Sequence, residues 1–206
     1  AKGRLPENLD FLVDIARYNG AEVSERISTN PDTLVVCDTA KPALLPRSSG
    51  ILSLLEDADV SVFEIDHHTG SDSAYIAPKE NALVDSASSA CSLIARLAWK
   101  LSRRELVETV FTRNVVVALL TGMIGDTQMG RAVAGHGEAR TYSMLTDFLN
   151  SLLHDKTFSK EKFADTAGLY KEMIQISDSE RRVWESLMGR SRFEGELGVV
   201  ALERER

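Results

Sequence analysis

Residues 60–70 read Val60-Ser61-Val62-Phe63-Glu64-Ile65-Asp66-His67-His68-Thr69-Gly70. The β-branched Val60, Val62 and Ile65 around Phe63 read as a buried strand, and the run ends in an acid followed by two imidazoles. Thr69-Gly70 then break it, which leaves the Asp-His-His trio at the strand's C-terminal tip. In open α/β sheets that edge is where ligands bind, because the loops there fan apart at the switch point. The trio is therefore well placed to hold a metal or a phosphate.

Working upstream, Asn30-Pro31-Asp32 is turn chemistry. Thr33-Leu34-Val35-Val36-Cys37 after it reads as a second, fully buried parallel strand that ends at Asp38. Pro42 and Pro46 mark a loop, residues 51–55 read as a short crossover helix, and the strand carrying the trio is expected over 59–65. About 28 residues separate Asp38 from Asp66, close to the ~30 of a βαβ unit, so the two tips should be neighbours in a parallel pair. Ahead of this unit, residues 5–18 form an amphipathic helical pattern. Leu9, Leu12, Val13 and Ala16 share a face there, and Asn19-Gly20 is a C-cap.

Downstream, Ala82-Leu83-Val84 is a short strand, and Asp85-Ser86-Ala87-Ser88-Ser89 offers N-cap residues to a helix over 90–102. A second helix is expected over 105–123. It closes on Gly122-Met123-Ile124-Gly125-Asp126-Thr127, a glycine-flanked turn that presents one acid. A further helix covers 137–153, which makes His136 a loop histidine ahead of it. Residues 160–189 are helical and amphipathic, with a break where Ser177-Asp178-Ser179-Glu180 has the capping-box pattern. Residues 197–202 are a last strand-like run. The reading is an α/β fold, a parallel β-sheet flanked by helices, with C-terminal connecting helices. Its expected division is a core over 1–155 and a helical connector over 156–206.

With 43% hydrophobic residues in 206 and a net charge of −7, the chain can bury a core as a soluble globular protein. The 31 acids against 24 bases argue against a broad nucleic-acid-wrapping surface. No apolar run approaches the ~18–20 residues of a membrane span and no signal peptide is visible, so no membrane partner is expected. Cys37 and Cys91 lie in apolar runs without ligand spacing and read as buried free thiols, which suits a cytoplasmic location.

Asp38, Asp66, His67 and Asp126 all fall at strand tips or at the glycine-flanked turn. Carboxylates with imidazole suit Mn²⁺, Mg²⁺, Fe²⁺ or Co²⁺. One carboxylate can bridge two cations ~3.5–4 Å apart, the arrangement that activates water and clamps both oxygens of an in-line phosphoryl displacement. Singly, each residue has an ordinary reading: a strand-terminal Asp is often a helix N-cap, and paired loop histidines often bond to backbone. In this order and context they are far more specific.

The ordered segments VVCDTA, FEIDHHTGSD, VDSASSACSLI and LLTGMIGDT resemble the DHH phosphoesterase superfamily over roughly residues 30–190. That group includes RecJ-type single-strand exonucleases, NrnA-type oligoribonuclease and nucleoside-bisphosphate phosphatases, cyclic dinucleotide phosphodiesterases and family II inorganic pyrophosphatases. The resemblance implies Asp38 as the carboxylate bridging two metals, with His67 and Asp126 as ligands of the second. It implies Asp66 as the partner that holds a histidine tautomer, and His68 as the contact to the scissile phosphate. Ser88 and Ser89 match the family's Ser/Thr-rich helix start, where exposed N–H groups could meet a substrate anion or the side chains could simply cap the helix.

The family's first motif, an N-terminal strand ending in an acidic cluster, has no counterpart in these residues, nor does its glycine- and histidine-rich C-terminal substrate domain. Gln128 stands where the family usually has glycine. The expectation is a DHH-type core cut from a longer protein, inactive by itself. The intact protein is expected to be a two-Mn²⁺ hydrolase, with Mg²⁺ or Co²⁺ as alternatives, acting on short oligonucleotides or nucleotide-like phosphates and possible as a homodimer. The competing expectation is a degenerate module of the same type that binds nucleotides or a partner without chemistry.

Overall fold

The computed structural model describes residues 5–27, 29–47, 50–107, 110–128, 130–133, 135–151, 165–195 and 197–200. Strands β1 (Thr33–Cys37), β2 (Ser61–Asp66) and β3 (Ala82–Val84) form a parallel sheet in the order β1-β2-β3. Cys37 pairs with Ile65 and Asp66 with Val84, which brings the three C-terminal ends level. The ladder continues one residue past the strands: Asp38 N–H donates to the Ile65 carbonyl at 3.0 Å, and Asp85 N–H to the Asp66 carbonyl at 3.2 Å. Helix α2 (Ile51–Leu55) lies in the β1–β2 crossover, where the sequence placed it.

The expectation of a fully buried β1 needs correcting. Only Val36 is buried, Val35 is 52% exposed and Cys37 is exposed. A run of apolar residues does not reveal whether a strand is central or at an edge. In the described sheet β1 pairs on one side only, and Val35 shares its uncovered face with Phe63. Of the two thiols expected to be buried, Cys91 is half-buried and Cys37 is not.

Apolar burial concentrates in a helical layer made of α1 (Asp10–Tyr18), α3 (Ala90–Arg103), α4 (Arg113–Asp126), α5 (Gly135–Ser151) and α6 (Thr166–Met173). Phe11 and Ile15 are the buried residues of α1, with Leu9 and Leu12 packed beside them, so its inner face is rotated from the expected stripe. Gly20, at φ 79°, closes α1 in the left-handed conformation a C-cap glycine takes. In α4, Val116, Leu120, Met123 and Ile124 are inaccessible to solvent. They pack with Leu145, Leu149 and Leu169 of α5 and α6.

Helix α4 starts well after the expected residue 105. Thr112 is its N-cap, the Thr112 hydroxyl accepting from Val115 N–H. It also runs through both glycines, so Asp126 is its last residue and not part of a turn. Gly122 is used for close approach: a Cβ there would lie 2.2 Å from Cys91 Sγ on α3. His136 lies in the first turn of α5 instead of a loop.

Helix α7 (Asp178–Arg190) begins on the expected capping box, with Ser177 Oγ accepting from Glu180 N–H and Glu180 accepting from Ser177 N–H. Strand β5 (Leu197–Val200) pairs antiparallel with β4 (Ser191–Glu194), which the sequence did not announce. The expected helical residues 160–164, and 201–202 of the final strand, lie outside the described residues.

Candidate metal centre

Three chain segments deliver the polar residues to one place. Asp38 follows β1, Asp66-His67-His68 end β2, and Asp126 ends α4. Asp38 has φ 53°, a left-handed conformation that is uncommon outside glycine and that Asp adopts more readily than most residues. The turn aims its carboxylate at the neighbouring strand tip: Asp38 Oδ1 is 3.2 Å from His67 Nε2 and 3.9 Å from His68 Nδ1. Asp126 Oδ2 reaches the same His67 nitrogen at 3.9 Å. One ligand atom from each of Asp38, Asp66, His67 and His68 can be chosen so that all lie within 4.8 Å of one another.

The histidines are set by opposite neighbours. His67 Nδ1 is 3.2 Å from the Ala87 carbonyl, which can only accept, so Nδ1 carries a proton. Nε2 then faces two carboxylates, and it either carries a second proton or gives its lone pair to a cation. His68 Nδ1 is 2.7 Å from Asp66 Oδ1, and the same oxygen accepts the His68 backbone N–H at 3.2 Å. Asp66 is fully buried, and its other carboxylate oxygen, Oδ2, has no hydrogen-bond partner among the described residues.

The electrostatics follow from this crowding. Burial, then the charge of Asp38, raises the Asp126 carboxyl above its ordinary range, with His67 and His68 pulling the other way. The hydrogen bond that His68 donates to Asp66 raises its imidazole, partly offset by desolvation. Cys91 lies close enough to feel Asp126 and Asp38, but burial is the main cause that pushes its thiol up to about 12. In the metal-free protein it stays protonated.

These residues fit a divalent cation. Donors that share one ion at ~2.1 Å stand roughly 3–4 Å from each other, and the 3.2 and 3.9 Å separations about His67 Nε2 meet that spacing. The buried Asp66 Oδ2, without a hydrogen-bond partner among the described residues, leaves an acceptor to spare beside the two histidines. The oxygen-and-imidazole donor set does not single out one divalent metal.

Ser89 is the N-cap of α3: its hydroxyl accepts from Ser92 N–H at 3.0 Å, and the residue is buried. The N–H of Ser88 is held by both oxygens of Glu138, each at 3.0 Å, and its hydroxyl donates to the same carboxylate. Neither Glu138 nor the Ala87 carbonyl was foreseen. An acid in the first turn of a helix, where Glu138 stands, satisfies the helix dipole and carries no sign of a distant partner. Glu64 was also missed. It is buried in β2, and its Oε2 accepts the N–H groups of Ile76 and Ala77 at 2.8 and 3.0 Å, fastening the segment that follows the histidines.

Among the described residues, no helix is long and apolar enough to cross a membrane. No model of a known protein family matches the chain, and no curated protein matches it significantly.

Proposed function

We propose that the chain is the core of a DHH-type phosphoesterase that hydrolyses a phosphodiester or phosphomonoester of short oligonucleotides or nucleotides. One observation carries the reading: Asp38, His67 and Asp126, from three separate segments, meet with His67 Nε2 facing both carboxylates. Asp38, His67 and Asp126 would hold the cation, Mn²⁺ by preference. When bound, that cation supplies Lewis acidity toward a phosphoryl oxygen and acidifies a water molecule.

The chain's own residues supply the rest. Asp66 is buried and fixes His68 through Nδ1, so the ring holds its orientation and a proton at Nδ1 while it stays 43% exposed. Hydrogen bonding to Asp66 favours the imidazolium, which gives His68 a positive charge to place beside an anionic phosphate. Gln128, the departure from the family's glycine, has φ 50°, the left-handed conformation that glycine adopts at no steric cost. Thr127 anchors it, donating through Oγ1 to the Met123 carbonyl and accepting Gly130 N–H at 2.9 Å. The position thus keeps a glycine-type backbone with a different side chain.

The test is Mn²⁺ calorimetry together with hydrolysis of a short oligonucleotide, on the full-length protein as wild type, Asp38→Ala and Asp126→Ala. The wild type is expected to bind and each variant to lose binding and turnover, with circular dichroism unchanged. Near-normal binding by either variant overturns the ligand set. Binding without hydrolysis of any phosphoester identifies a binding module instead.

A further inference from the structure

The amide between Ala87 and Ser88 makes two contacts in opposite directions. Its carbonyl accepts from His67 Nδ1 at 3.2 Å, and its N–H is shared by the two Glu138 oxygens at 3.0 Å each. A trans peptide is planar, and its N–H and C=O point oppositely, so a group that fixes one end fixes the other. We infer that Glu138 is a positioning residue for the metal centre, acting on His67 through this single peptide group. The inference rests on the reading of His67 as a metal ligand.

The physical argument has two parts, orientation and polarisation. A ligating histidine is ordinarily held at its second nitrogen by a carboxylate or a backbone carbonyl, which fixes the tautomer and raises ligand basicity. Here the carbonyl is present and a carboxylate stands behind it. A full negative charge accepting the amide N–H draws electron density toward the carbonyl oxygen, because hydrogen bonds in series strengthen one another. The better acceptor at Ala87 makes the His67 Nδ1–H bond stronger and Nε2 a better donor to a cation.

The turn is also anchored mechanically. Ser89 is buried as the α3 N-cap immediately after it, and the Ser88 hydroxyl gives Glu138 another bond. Glu138 comes from the first turn of α5, a different helix, so the contact ties the α5 N-terminus to the ligand-holding loop. Among the described residues, Glu138 makes its hydrogen bonds to Ser88 and none to Asp38, His67 or Asp126; its effect passes through the backbone.

Co²⁺ alone is the probe, measured by calorimetry on the wild type, Glu138→Gln, Glu138→Ala and, as a control for the ligand reading, Asp126→Ala. Glu138→Gln keeps an acceptor and removes the charge. It should weaken Co²⁺ binding about tenfold, the lower end for residues behind a metal ligand. Glu138→Ala should weaken it further, with helicity and melting otherwise near wild type. In the Co²⁺-loaded proteins, the hyperfine-shifted exchangeable proton of His67 Nδ1 should exchange faster in Glu138→Gln than in the wild type. A purely structural role for Glu138 would not alter that proton while the fold is intact.

If the wild type binds Co²⁺ and Asp126→Ala abolishes it, but Glu138→Gln binds within twofold of wild type with an unchanged proton signal, the relay alone is overturned. If the wild type binds no Co²⁺, the ligand reading and the relay are overturned together.

Discussion

Leu120 and Asp126 stand less than two turns apart on α4 and live in opposite surroundings. Leu120 is inaccessible to solvent among other aliphatic residues, where every contact favours the folded chain. Asp126 closes the same helix beside Asp38, and burial together with that like charge disfavours its ionised form. An Asp66 oxygen buried without a hydrogen bond among the described residues and a left-handed backbone at Asp38 add to the tension of that end. One end of the helical layer makes the fold, and the other end holds groups whose arrangement the fold must impose. The difference teaches where to expect stability and where to expect affinity.

The largest effect belongs to the dry end. Leu120→Ala should destabilise the protein by about 2–5 kcal/mol, the span for truncating a fully buried leucine. Urea unfolding reads the loss, and Mn²⁺ affinity of the molecules still folded should change less than twofold. A loss of affinity that tracks the loss of stability would mean the two ends are one cooperative unit, and the comparison would break.

A smaller effect is expected where the two ends touch. Gly122 makes room for Cys91 Sγ, and an added Cβ would lie 2.2 Å from it. Gly122→Ala should cost about 1–3 kcal/mol by overpacking, despite alanine's better helix propensity. Combining it with Cys91→Ala should recover most of the loss, since the clash is with sulfur. If the double variant is no better than the single, the strain lies in the α4 backbone and not in the α3–α4 contact.

This boundary also marks how far the sequence could be read. The strand tips were legible because β-branched runs ending in acids are a local pattern, and the ~28-residue spacing of Asp38 and Asp66 fits a βαβ unit. Ser89 and the Ser177–Glu180 capping box were legible for the same reason, being contacts across three residues. Asp126 was assigned to the right neighbourhood in the wrong conformation: Gly122 and Gly125 looked like a helix stop, whereas packing against α3 keeps the helix going. The exposure of Cys37 and Val35 depends on which strand is at the edge, a tertiary fact. Strand β4, as Ser191-Arg192-Phe193-Glu194, has no apolar alternation to announce it. Glu138 was out of reach because its partner Ser88 lies on another helix's approach, and nothing local distinguishes it from a helix-dipole acid.

The smallest effect is the sharpest test of the crowded end. Asp126 has a folded-state carboxyl raised above its ordinary 3.8, so its charge disfavours folding once the pH climbs past that value, and the penalty grows until the pH passes the raised one. His68 is raised above its ordinary 6.5 by Asp66, with Asp38 and Asp126 adding to the effect, so its stabilisation is present below 6.5 and disappears as the pH rises through the raised value. Both groups therefore lower the stability of the metal-free protein as pH increases, Asp126 in the acidic window and His68 around neutrality. Asp126→Asn should raise metal-free stability at pH 8 by about 0.5 kcal/mol, held small by solvent screening at a side chain 37% exposed. That corresponds to a melting rise of about 1–2 °C for a chain of this size. The gain should fade as the pH drops below 3.8, where the carboxyl becomes protonated in the folded and the unfolded chain alike. Mn²⁺ should reverse the ranking at pH 8, because the cation stabilises the wild type by mass action and finds one ligand fewer in the variant. A metal-free Asp126→Asn protein that melts below wild type at pH 8 would show that the ionised carboxylate supports the fold, and the opposition between the two ends of α4 would be lost.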